Sequence, residues 1–225
     1  MPPPTGQQEA ASGGGKEREV VTTEPVKVSD PAVQPEGPGL SSVVEKSEVV
    51  GGNASAKYAD GGIYEGGWDD SVGRNGEGKM VWRNGNVYQG TWKGDRQEGR
   101  GIMTYWDGSR YNGEWQNGQR NGQGEMSWID GGPYNGINYQ GGWLNDKREG
   151  KGQLKDKNGG SYNGDWKADL ASGVGKITWP NGNWYQGDVY DGKPDGRGAF
   201  VDVRVGRTVR GHFRGGAHIS PCKMQ

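Results

Sequence analysis

The chain is poor in most of what a conventional core requires. Hydrophobic residues make up 29% of its 225 positions, only two of them Phe, and the mean hydropathy is −1.01. A compact interior of aliphatic side chains is therefore excluded. A single cysteine, Cys222, rules out a disulfide framework within the chain. No run of apolar residues approaches the ~20 that a membrane-spanning helix needs. The opening MPPPTGQQEA lacks the apolar stretch of a secretory signal, so a cytoplasmic, reducing location is expected. Charge of either sign is not in excess: 27 Lys and Arg stand against 28 Asp and Glu, net −1. That excludes a strong general attraction to nucleic acid or anionic lipid. Residues 1–57 contain no aromatic residue and hold seven of the eleven prolines. They cannot bury enough apolar surface to offset chain ordering and read as a disordered tail. Within it, SSVVEKSEVV (41–50) reads either as linker or as a segment that orders on binding.

Glycine and large aromatics are what the chain does have: 46 Gly, 10 Trp and 10 Tyr. Burial must come from Trp and Tyr, at ~150–250 Å² each. Gly73 and Gly78-Lys79 have the spacing of a phosphate-binding loop, but Met80 stands where that loop needs Ser or Thr for Mg²⁺. RNGEGKMVW (74–82) also recurs as RNGQGEMSW (120–128), with Glu125 in place of the lysine. A phosphate site does not exchange its cation for an anion, so the glycines belong to a repeat.

The repeat is explicit. Tyr-x-Gly-x-Trp occurs at Tyr64-Trp68, Tyr88-Trp92, Tyr111-Trp115, Tyr139-Trp143 and Tyr162-Trp166. Degenerate copies follow at Tyr185-Gly187-Val189 and Val209-Gly211-Phe213. The tyrosine spacings are 24, 23, 28, 23 and 23, the 28 reflecting an insertion around Tyr134. Gly-x-Gly follows each Trp by seven or eight residues, and an apolar residue (Met80, Met103, Met126, Leu154, Ile177, Phe200) follows two later. Both halves of the unit have period 2, which argues strand, and glycine at this density argues against helix.

Turn chemistry sets the register. Pro180 in Pro180-Asn181-Gly182 fits the first central position of a type I turn, followed by Gly in the left-handed region. By analogy Trp82 pairs with Asn86, Met80 with Tyr88, Gly78 with Gly90 and Gly76 with Trp92. On the other side a six-residue loop, Lys93–Glu98, is expected to pair Trp92 with Gly99. Each Trp would then have glycine on both flanks, with its indole flat across the backbone. The predicted fold is all-β: an elongated single-layer antiparallel meander of about seven hairpins, curled into a trough. The domains are a tail at 1–57, the sheet at 58–215 and a C-terminal tail at 216–225.

These motifs resemble the MORN-repeat family over about 58–215. The glycine three after Trp appears at Gly118 and Gly192 but not in most copies, and the last two units lose the Trp. The resemblance implies a non-enzymatic scaffold of cytoskeletal assemblies, such as the radial spoke heads of ciliary and flagellar axonemes. It implies other structural proteins as partners, with an extended peptide or helix in the trough, or a second copy paired through the end strands. Family members in which lipid contact has been proposed supply an alternative, a module on anionic phospholipid.

No catalytic set is present, and no cofactor or metal site is expected. His212 and His218 read as surface histidines, and Glu114, Asp165 and Asp188 as charges on the polar face. The aromatics Tyr64, Trp68, Tyr88, Trp92, Tyr111, Trp115, Tyr139, Trp143, Tyr162, Trp166 and Tyr185 have two readings. They form a thin core over the glycines, or they leave ring edges open to bind a partner; the two are compatible. Arg204, Arg207, Arg210 and Arg214 read as charge protecting a sheet edge or as a seat for an anionic partner.

Overall fold

The computed structural model describes residues 43–47, 50–129 and 136–219. Most of the expected N-terminal tail, the insertion around Tyr134 and residues 220–225 lie outside them. The described residues contain strands and turns and no helix. Sixteen strands form one sheet in strict chain order. They are β1 (Val43–Lys46), β2 (Asn53–Tyr58), β3 (Ile63–Asp69), β4 (Gly73–Val81), β5 (Val87–Lys93), β6 (Arg96–Thr104), β7 (Arg110–Gln116), β8 (Gln119–Ser127), β9 (Asn138–Leu144), β10 (Lys147–Lys155), β11 (Ser161–Lys167), β12 (Leu170–Thr178), β13 (Trp184–Tyr190), β14 (Lys193–Asp202), β15 (Arg207–Arg214) and β16 (Ala217–Ile219).

Every pair is antiparallel, and each strand packs substantially only on its neighbours in sequence. At ~4.8 Å per strand the ribbon runs about 70 Å. Strands β3 to β16 supply the seven expected hairpins. The sheet nevertheless begins upstream of Tyr58, where the sequence analysis placed its start. Ala54, Ala56 and Tyr58 of β2 alternate into the buried face, two small side chains that compositional reasoning passes over. At the other end β16 falls in the expected C-terminal tail.

The register on the long-hairpin side is the predicted one. Met80 faces Tyr88, Gly78 faces Gly90 and Gly76 faces Trp92. Trp82 N–H donates to the Asn86 carbonyl, and Gly85 N–H to the Trp82 carbonyl. The short side differs: Lys93 pairs with Arg96 and Trp92 with Gln97, not Gly99. The turn is two residues, Gly94-Asp95, both left-handed at φ 54° and 65°. Such a turn matches the natural twist of an antiparallel pair, which a six-residue loop does not. The extra residues form a bulge, where Glu98, Gly99 and Arg100 oppose Thr91 alone.

The two glycines of Gly-x-Gly thus have different reasons. The first sits in the bulge with positive φ, as at Gly150 (φ 72°), where a side chain would meet open space. The second faces a tyrosine, and a Cβ at Gly152 would overlap the Tyr139 ring. This predicts an asymmetry within one unit. Gly150→Asn, which tolerates left-handed backbone, costs about 1 kcal/mol or less. Gly152→Ala costs about 3 kcal/mol, at the upper end for overpacking, because the ring has nowhere to go. Urea denaturation of both variants checks the ranking, and equal costs would contradict it.

Candidate interaction surface

Tyrosine, not tryptophan, covers the glycines. Each Tyr ring lies over the glycine two residues on and over that glycine's partner across the strand pair, as Tyr88 does over Gly90 and Gly101. Its hydroxyl donates to the carbonyl three residues along: Tyr88 to Thr91 at 3.0 Å, Tyr111 to Glu114 at 3.0 Å, Tyr139 to Gly142 at 2.9 Å, Tyr162 to Asp165 at 2.8 Å. The place expected for the indole required glycine on both sides of each Trp, whereas Trp92 has Gly76 on one side and Gln97 on the other. The indoles instead pack edge-on between two phenols. Trp92 lies 5.6 Å from Tyr64 and 5.1 Å from Tyr88, with both interplanar angles 85°. The pattern continues through Trp115, Trp143 and Trp166, ending at Tyr162. Trp92, Trp115 and Trp166 also donate Nε1–H to the carbonyls of Gly78, Gly101 and Gly152 at 3.2–3.3 Å.

This order of phenols, indoles and glycines is that of a known repeat. The family model of the MORN repeat matches residues 64–87, 88–110, 111–132, 139–161, 162–184 and 185–203, more than half the chain. The chain belongs to the MORN-repeat family. No curated protein matches it. Among solved structures it is similar to the TCP domain of Drosophila melanogaster SAS-4 (dCPAP), in complex with a proline-rich motif of Ana2 (dSTIL). That match has 10% identity over 76% of this chain and 90% of the other, with a TM-score of 0.44. A second Drosophila Sas-4 structure, of the TCP10c domain, gives 10% identity, 76% and 100% coverage and 0.41. A mutant TCP10 domain of Danio rerio CPAP gives 14%, 75% and 88%, and 0.27.

Within the MORN units the zipper is closed on its exposed side. Tyr64, Tyr88, Tyr111, Tyr139, Tyr162 and Tyr185 are buried, as are Trp92, Trp115, Trp143 and Trp166; Trp68 alone of the set is half-buried. Guanidinium groups form part of the lid. Arg74, Arg120 and Arg148 stack 4.2–4.4 Å above Trp92, Trp143 and Trp166. Each arginine is clasped by an aspartate in the next short turn. Arg74 Nε donates to Asp95 Oδ1 at 2.8 Å, Arg120 to Asp146 at 3.1 Å and Arg148 to Asp169 at 3.0 Å. The terminal nitrogen Nη2 of each donates to that aspartate's backbone carbonyl.

The clasp explains why three units carry Asp, not Gly, three after Trp. Where the lid residue is Arg, that turn residue is Asp. Where it is Gln97, Ala171 or Pro194, the turn residue is Gly118, Gly192 or Gly216, donating N–H to the lid residue's carbonyl. The pairing of Arg with Asp and of non-Arg with Gly is written in the sequence as co-variation between units, a signal that could have located the clasp.

The polar face holds the acids that the sequence placed there. They hold bulges: Glu114 accepts from Gln123 N–H at 3.2 Å, Asp165 from Val174 at 2.9 Å and Asp188 from Arg197 at 2.8 Å. The Lys151 ammonium, with the bulge N–H, lowers the Asp165 carboxyl below its ordinary value. A shallow polar depression of about 260 Å³ lies among Arg100, Asn112, Glu114, Gln123, Glu125 and Gln140. It contains no nucleophile. No group of three or more metal-ligating side chains occurs among the described residues.

The C-terminal arginines do not converge on one point. Arg204 lies in the β14–β15 loop, 3.7 Å from Asp202, and Arg207 opens β15 opposite Asp202. Arg210 shares the polar face with Arg197 and His212, whose Nε2 lies 3.3 Å from Arg197 Nε. Arg214 ends β15 opposite Ala217. Exposed apolar side chains gather on the two rims, Trp106 and Ile129 on the long-hairpin rim and Leu144, Leu170 and Tyr190 on the other.

Two outcomes follow. Asp146→Gly strands Arg120 over Trp143 and costs about 2–3 kcal/mol, below the ~3–5 of a fully buried pair because Asp146 keeps some exposure. Adding Arg120→Gln recreates the Gln97/Gly118 combination and recovers at least half; additive costs in a double-mutant cycle would rule the clasp out. Burial also pushes the phenols up, Tyr64 and Tyr185 to about 12 and the four between them further. Their folded values lie above the unfolded one, so their contribution is complete below about pH 10 and lost as pH rises through the folded values. Tyrosinate absorbance should therefore appear together with loss of near-ultraviolet circular dichroism. Phenols that titrate near pH 10 in an intact sheet would show the zipper to be open.

Proposed function

We propose that the chain is a non-enzymatic structural scaffold that binds protein partners within a cytoskeletal assembly, with a ciliary or flagellar axoneme as its setting and the radial spoke head as the specific case. The observation that carries this reading is the single-layer ribbon itself. Ten of the eleven repeat aromatics are buried in holding its shape, so about 70 Å of polar face and two rims remain as presentation surface. A long, single-layer platform suits holding other proteins at fixed spacing. Family membership supports the same class, and the step to the axoneme rests on analogy with small family members. The outer edges of β1 and β16 end the sheet and offer backbone groups to a further strand, from a partner or a second copy.

Detergent extraction followed by crosslinking mass spectrometry tests the proposal. The protein should remain with the insoluble cytoskeleton or axoneme. Crosslinks should run from polar-face lysines such as Lys79, Lys151 and Lys176 to structural proteins. Recovery as a detergent-soluble monomer without crosslinks would overturn it. Release by detergent, together with pelleting on vesicles that depends on anionic lipid, would transfer the chain to the alternative reading of a lipid-tethered module.

A further inference from the structure

The least expected surface residue is Trp106. It is 76% exposed, whereas five of the other nine indoles are buried and four are half-buried. It is also held in place. Its backbone N–H donates to Oδ1 of the buried Asn86 at 2.9 Å, and its Cβ rests against Gly85 of the preceding hairpin tip. The next tip repeats the arrangement, with the exposed Ile129 side chain against Gly108. The tip before places exposed Arg83 beside Gly61. Arg83, Trp106 and Ile129 therefore form a ledge of three steps, two strands or ~9.6 Å apart. A fixed, solvent-facing tryptophan flanked by an apolar side chain and a cation has the composition of a binding anchor.

The spacing selects the ligand's conformation. A polyproline II helix repeats every three residues at ~3.1 Å each, or ~9.3 Å per turn. Its side chains at i, i+3 and i+6 match the three steps. A β-strand returns to one face every ~6.6–6.8 Å and does not. The chain's own sequence has apolar residues at that three-residue spacing in Glu24-Pro25-Val26-Lys27-Val28-Ser29-Asp30-Pro31. Pro25, Val28 and Pro31 stand three apart and are all apolar, and with Pro31 at the Arg83 step Asp30 supplies an anion beside that guanidinium. The segment can reach. From Val43 back to Pro31 the chain spans up to ~40 Å, against about 15–20 Å of sheet between β1 and the β4–β5 hairpin that carries Arg83.

We propose that residues 24–31 dock as a polyproline II segment on the Arg83–Trp106–Ile129 ledge of the same molecule. Tethering gives the segment a local concentration near millimolar, so a contact too weak to survive between free molecules is populated within one. The ledge is then covered until a competing proline-rich or acidic segment displaces the chain's own.

Hydroxyl-radical labelling of the full-length protein, with Trp106 oxidation located by mass spectrometry, tests this. The triple variant Pro25→Ala, Val28→Ala, Pro31→Ala alters none of the residues of β1 to β16. It should raise the Trp106 labelling rate several-fold and leave buried Trp115 unchanged. Arg83→Glu should do the same without touching the segment. Equal Trp106 rates in the native chain and the triple variant overturn the proposal. Protection that disappears on dilution overturns it too, since the segment would then come from a second copy.

Discussion

A phenol ring laid over a pair of side-chain-free strands is the contact on which the rest of this molecule depends. A single-layer sheet has no second layer to bury its face, so each ring must be covered by its own neighbours. Glycine at positions such as Gly90 and Gly101 lets Tyr88 descend onto the backbone, where its hydroxyl reaches the Thr91 carbonyl. The ring is then low enough for an indole to pack edge-on from either side. Trp92, Trp115, Trp143 and Trp166 each join two units, so stability passes from neighbour to neighbour along the ribbon, as expected of a repeat architecture.

The other features complete that lid. The first glycine of each Gly-x-Gly absorbs a left-handed bulge residue, and acids such as Asp165 hold the bulge from the polar face. Guanidinium groups close the aromatic face above three of the indoles, where they are desolvated enough for the ring's quadrupole to matter. An arginine in that position requires an anion, and the adjoining short turn provides one. The turn residue is thereby chosen by a side chain in the preceding hairpin.

The consequence for function is a division of surfaces. The aromatics that would ordinarily suggest a binding groove are mostly consumed internally, Trp68 being half-buried at the N-terminal end under the Lys46 ammonium, 5.2 Å from its ring. What faces outward is polar, mixed in charge and long, with a few apolar side chains on the rims. What the fold leaves outward for the proposed scaffold role is local features of rim and edge, each presented at a fixed interval set by the hairpin repeat.

Strand identity, the long-hairpin register, repeat number and single-layer topology were all legible from residues such as Pro180, Met80 and Tyr88. They depend on local turn chemistry and on period-2 alternation, both of which are written into neighbouring positions. The short-turn register was not legible, because two left-handed residues at Gly94-Asp95 and a bulge at Gly99 use the same letters as a longer loop. Nor was β2, whose buried residues include two alanines. Which ring covers the glycines, and which face of each indole an arginine closes, was decided only by the folded sheet. The cross-strand contacts join residues such as Tyr88 and Gly101 or Arg120 and Trp143, far apart in sequence, and they exist only once pairing brings successive strands within reach of one another.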